Sequence, residues 1–118
     1  MTRPPETDRP KRRIIRLMLI EDDPVFRLGL ATALERAADL RVVFEANSSN
    51  TARRVLHDWS GNNAAATATR TTETIVPDLI ILSLDLGKAS TGQSDGLELC
   101  QELRQSYPDL PILLVSSN

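Results

Sequence analysis

Residues 14–24, IIRLMLIEDDP, decide how the rest of the chain is read. The apolar run over 14–20 is broken only by Arg16, the pattern of a strand buried on both faces of a parallel sheet. Glu21-Asp22-Asp23 closes it, and Pro24 then suits the first turn of a helix that Asp23 would cap. Behind the proline, Phe26, Leu30, Ala33 or Leu34, and Ala37 recur at helical spacing. The segment therefore reads as strand, acidic turn, helix.

The same alternation continues outward. Residues 41–45 hold Val42, Val43 and Phe44, a short strand, and the polar residues 47–50 after it can cap a second helix. Ala52, Val55, Leu56 and Trp59 put one apolar face on that helix, with Arg53, Arg54 and Asp58 directed to water. Residues 61–74 are Asn, Ala and Thr with few charges and no apolar periodicity, which predicts an inserted loop, long for an α-to-β connection. A third strand is expected over residues 79–84. The loop over 87–94 is rich in Gly, Ser and Thr, and Asp95-Gly96-Leu97-Glu98 has the spacing of a capping box. Leu99, Leu103 and Tyr107 carry that third helix until Pro108 stops it, and residues 112–115 form a fourth buried strand. The order β-α-β-α-β-α-β predicts an α/β fold: an open, doubly wound parallel sheet with helices on both faces.

Length and composition narrow the function classes. With 118 residues, 41% hydrophobic and 25% charged, the chain has room for one domain of ordinary globular make-up. A formal net charge of -2 supplies no field to draw it onto nucleic acid or an anionic membrane. Residues 1–13 carry three prolines and five basic side chains with almost nothing apolar, so they are expected as a loose tail ahead of a domain over 14–118. The apolar run after Lys11-Arg12-Arg13 is too short to span a bilayer and lacks a small-residue cleavage site, which leaves a cytoplasmic location as the expectation. The single cysteine, Cys100, lies between apolar neighbours and reads as a buried hydrophobe; His57 reads as a surface or boundary residue of a helix.

Open parallel sheets bind ligands outside the carboxyl ends of their strands. Here those ends carry Glu21-Asp22-Asp23, Ser83-Leu84-Asp85 and Ser116-Ser117. Asp23 has a capping role, but Glu21 and Asp22 have none, and adjacent carboxylates repel unless a cation relieves them. A hard ion such as Mg2+, which takes a few carboxylate and carbonyl oxygens and keeps several waters, suits such a set.

These stretches resemble the receiver domain of response regulators, the CheY-like family. LMLIEDDPVFRLGL is similar to its first strand, acidic pair and first helix; VPDLIILSLDLG to its third strand; DGLELCQELR and PILLVSS to the helix and strand that come after it. The resemblance implies that Glu21 and Asp22 are the Mg2+-binding pair, that Asp85 offers the metal a backbone carbonyl, and that Ser116 is the switch hydroxyl that senses a phosphoryl group. It breaks at one position. Six residues after Pro77 the family has the aspartate that accepts phosphate, and this chain has Ser83. A carboxylate is ionised at neutral pH, whereas a serine hydroxyl is a weak nucleophile without a neighbouring base.

Asp85 shares strand parity with Ser83, so a slip of two residues would make it the acceptor while preserving every buried face. Unslipped, it lies about 6–7 Å further along, and Leu86-Gly87 falls where the family has an apolar residue and a proline. The favoured expectation is a pseudo-receiver in two-component phosphorelay signalling. It would act by protein–protein contact, bind Mg2+ weakly if at all, and have a sensor histidine kinase or other signalling protein as partner. A phosphorylatable receiver using Asp85 is the second reading. A Mg2+-dependent phosphotransfer enzyme of Toprim type is the third, and of its Asp-x-Asp only Asp85 is present. The family also has a fifth strand with a lysine and a last helix, which implies a fragment whose output domain lies outside this chain and whose apolar edge over 112–115 invites pairing or aggregation. The serine and the stretched loop after the third strand are further similar to receiver-like domains fused to larger regions of unknown function in photosynthetic bacteria and plastids.

Overall fold

A computed structural model describes residues 13–58, 77–88 and 92–116. The expected tail, the loop over 61–74 and Trp59 lie outside the described residues, apart from Arg13. The elements run β1 (Ile15–Ile20), α1 (Pro24–Glu35), β2 (Leu40–Ala46), α2 (Ser49–His57), β3 (Leu79–Ser83), α3 (Gly96–Ser106) and β4 (Ile112–Val115). All strand pairs are parallel, in the order β2-β1-β3-β4. The predicted alternation holds, with strand ends moved by a residue: β2 reaches one further each way, and β3 stops at Ser83.

β1 and β3 occupy the centre because their apolar side chains have a layer to meet on either side. On one face Met18, Ile20, Ile80 and Leu82 pack with Ala52 and Leu56 of α2 and with Leu99, Cys100 and Leu103 of α3. On the other, Leu17, Leu19 and Ile81 lie under Leu30, Ala31 and Leu34 of α1, so Leu34 rather than Ala33 is the inward residue. Each fully buried Leu, Ile or Met contributes roughly 1.5–3 kcal/mol, so these two strands anchor the domain. β4 is more open: Leu113 is 51% and Leu114 38% exposed, one on each face.

β2 carries a bulge. Leu17 pairs with Val42 but Met18 with Phe44, leaving Val43 without a partner across β1. The extra residue changes which face the strand presents: Leu40 and Val42 join the α1 side, while Phe44 and Ala46 join the α2–α3 side. The Glu35 carboxylate at the end of α1 accepts from the Val42 N–H at 3.2 Å, which ties the helix to this strand.

Helix starts match their side chains in two cases of three. Asp23 has extended backbone, and its Oδ1 accepts from the N–H groups of Val25 (2.9 Å) and Phe26 (3.2 Å). Ser48 caps α2 by accepting from Thr51 N–H at 3.1 Å. The capping box expected at Asp95 does not form. Asp95 has helical backbone angles, φ -94° and ψ -5°, which carry its side chain away from the first-turn amides, and it makes no side-chain cap.

Candidate functional site

The parallel ladders run one step past the strands and place the polar residues. Glu21 N–H donates to the Ala46 carbonyl at 2.9 Å, and Leu84 N–H donates to Val115 at 2.7 Å. Glu21 and Ser83 therefore sit at the last rungs of the sheet, and both are buried, 4% and 2% exposed. Asp22, Asp85 and Ser116 follow within two residues of the ends of β1, β3 and β4, so the strand-end residues singled out in the sequence share one rim.

Within that rim the carboxylates are turned to internal donors. Glu21 Oε2 accepts from the Asp23 N–H at 3.1 Å. Asp22 Oδ2 accepts from the Gly87 N–H at 3.0 Å, which ties the end of β1 to the loop after β3. Asp85 Oδ2 accepts from the Ser116 hydroxyl at 3.1 Å. The expected switch hydroxyl thus reaches Asp85.

Four residues to which the sequence reading gave no place in the site complete the frame. Arg27 donates from Nη1 to the Glu21 carbonyl at 2.8 Å, and its Nε lies 3.3 Å from Glu45, so it braces the acidic turn against the ends of α1 and β2. Ser94 donates its hydroxyl to the Leu84 carbonyl. Gly87 has φ +84°, a conformation that favours glycine, and a Cβ there would stand 2.7 Å from Asp95 Oδ2. Gly96 opens α3 directly beneath β3: a Cβ would overlap the Ser83 carbonyl and lie 2.6 Å from that of Leu84. A glycine just inside a helix start was the available signal for Gly96. Nothing local marks the other three.

Among the described residues no three carboxylate, imidazole or thiol groups converge closely enough to hold a metal ion. Mg2+ needs several oxygens aimed at one point. Here Glu21 and Asp22 belong to the β1 turn, while the Asp85 carboxylate is directed to β4 and its carbonyl, the expected ligand, accepts from the Lys88 N–H at 3.0 Å.

Burial pushes the Glu21 carboxyl above its ordinary value, and the neighbouring Asp22 adds to this against the opposing backbone N–H groups of Asp23 and Asp22. A raised carboxyl favours the protonated fold. Its contribution is fully present below the ordinary value of 4.5 and is lost as pH climbs through the folded-state value. Glu21→Gln, which can still accept from Asp23, is therefore expected to melt higher than the wild type near neutral pH. The gap should close as pH falls below 4.5. Thermal melts of both proteins across that range check this, and a constant gap would contradict it.

Among the described residues no helix is long and apolar enough to cross a membrane. A family model for the response regulator receiver domain matches residues 17–118. The fold is similar to a LuxR-family two-component response regulator from Aurantimonas sp., with TM-score 0.64 and 25% identity over 89% of this chain and 60% of that one. It also resembles the response regulator domain of Thermotoga maritima CheB, with TM-score 0.57 and 18% identity over 89% of this chain and 62% of that one. The receiver domain of Erythrobacter litoralis PhyR gives TM-score 0.59 and 16% identity over 89% of this chain and 64% of that one. In sequence, a Ycf55-like protein of Synechocystis sp. is 24% identical over 102 residues; these are 86% of this chain but 15% of that protein's length. The β2-β1-β3-β4 parallel order, the acidic turn after β1 and a family match over nearly the whole described sheet agree: the chain belongs to the receiver domain family of two-component response regulators.

Proposed function

We propose that this receiver acts as a pseudo-receiver, transmitting a signal by protein–protein contact without the usual phosphotransfer. The observation that carries the reading is the burial of Ser83, 2% exposed, at the position where the family resemblance expects the acceptor aspartate. A buried hydroxyl is out of reach of a phosphohistidine, and His57, exposed at the end of α2, is not placed to activate it. Mg2+ would find at most a weak site at Glu21 and Asp22. The partner in this reading is a sensor histidine kinase or another cytoplasmic signalling protein. In this reading the domain itself is neither an enzyme nor a nucleic-acid binder.

One contact favours a second reading. Ser116 donates to Asp85, the geometry of a switch hydroxyl beside an acceptor carboxylate, and Asp85 is half-buried where Ser83 is sealed. Incubation with acetyl phosphate and Mg2+, followed by intact-mass measurement, separates the two. The pseudo-receiver is expected to gain no phosphoryl group. A hydroxylamine-labile gain abolished by Asp85→Asn would establish the second reading instead.

A further inference from the structure

We propose that the hydrogen bond from Gly87 N–H to Asp22 Oδ2 is a latch that does the work a divalent cation would otherwise do, holding the rim of this domain closed without Mg2+. The proposal rests on the receiver reading of the rim and concerns how that rim is kept in one conformation.

Several observations support it. Asp22 is joined to a loop 65 residues away in sequence by a 3.0 Å bond, which draws the β1 turn and the β3–α3 loop together. A bound cation would link the same two segments. The N–H presents the positive end of a dipole to Oδ2 and joins the two segments directly, so no cation is needed to bring them together. A bond to an ionised acceptor is also among the stronger hydrogen bonds.

The donor exists because residue 87 is glycine. A proline could not donate, and φ +84° would strain any side chain that kept the N–H. The loop is tied down beyond the latch as well: Leu86 N–H donates to Ser83 O at 3.3 Å, and Asp95 N–H to Leu86 O at 2.7 Å. Through Asp95 the latch fixes where α3 begins. Glu21 Oε2 accepts from the Asp23 N–H, and the Asp85 carbonyl accepts from the Lys88 N–H at 3.0 Å, so each candidate metal ligand also has a partner within the protein.

The test follows the Gly87 amide by NMR in the 15N-labelled chain of 118 residues. In metal-free buffer its hydrogen exchange should be slower than in Asp22→Ala by about tenfold, the equivalent of one lost charge-assisted bond. Asp22→Asn, which keeps an acceptor oxygen, should retain most of that protection. Millimolar Mg2+ should leave the Gly87 shift and its exchange rate unchanged. A saturable Mg2+-dependent shift at Gly87, or equal protection in Asp22→Ala, overturns the latch. If Asp22→Ala does not fold, the wild-type Mg2+ titration decides alone. The protection lost in Asp22→Ala is read without Mg2+ or phosphodonor, so failure of the latch is distinguished from phosphoryl uptake at Asp85, which would overturn the pseudo-receiver reading.

Discussion

Gly96→Ala is expected to destabilise the domain by more than about 3 kcal/mol, the upper range for overpacking a site that cannot give way. The new Cβ would meet main chain on two sides, the carbonyls of Ser83 and Leu84. Neither can withdraw freely. Leu84 N–H is held by Val115 at 2.7 Å, and the Leu84 carbonyl accepts from the Ser94 hydroxyl. Moving the carbonyls aside would break the last β3–β4 rung, and moving α3 would open the contacts of Leu99 and Leu103 with the sheet. Helix propensity alone predicts the opposite sign, a gain of up to about 1 kcal/mol for alanine over glycine. Thermal or urea melts therefore discriminate sharply. A fall of roughly 10 °C or more is expected, and an unchanged or raised midpoint would show that α3 does not approach β3 as described.

Ser83→Asp should have the second largest effect, and one that depends on metal. β1 and β3 pair Ile20 with Leu82, so residues 21 and 83 come next, side by side. A carboxylate at 83 would be buried beside that of Glu21. An uncompensated buried charge costs about 3 kcal/mol or more, and two of one sign repel. In metal-free buffer the variant should melt roughly 10 °C below the wild type. Mg2+ should recover a substantial part of that loss, because the added carboxylate gives Glu21 and Asp22 the third ligand they lack. The wild type should show no comparable rise. Equal responses to Mg2+ would mean that Ser83 is not what separates this rim from a metal-binding one.

The parts of this fold that are legible in sequence are those where one physical demand dominates. β1 and β3 are buried on both faces, so residues 17–20 and 79–82 must be apolar without interruption, and they are. Asp23 is legible because a short acidic side chain before Pro24 has one good use. The departure at Ser83 emerges on counting from Pro77, and the structure places that serine at the last residue of a β3 paired in regular register with β1 and β4. Where two demands compete, the sequence misleads. Asp95-Gly96-Leu97-Glu98 has the spacing of a capping box, yet Gly96 must lie against β3, and Asp95 adopts helical angles. Arg27 answers to Glu45 in another element, and Gly87 to Asp22; a pairing made only by tertiary structure leaves no trace in local spacing.

The bulge in β2 bears on how this chain is aligned with others. The strand is one residue longer than the β1 segment it accompanies, and that surplus lets its first half serve the α1 side and its second half the other. Dropping either adjacent valine would yield a regular strand with every inward residue still inward, whereas losing a residue elsewhere in the strand would turn part of it inside out. Length parity, more than composition, is what the segment must conserve, and a gap at Val42 or Val43 is where a shorter homologue's strand would superpose correctly.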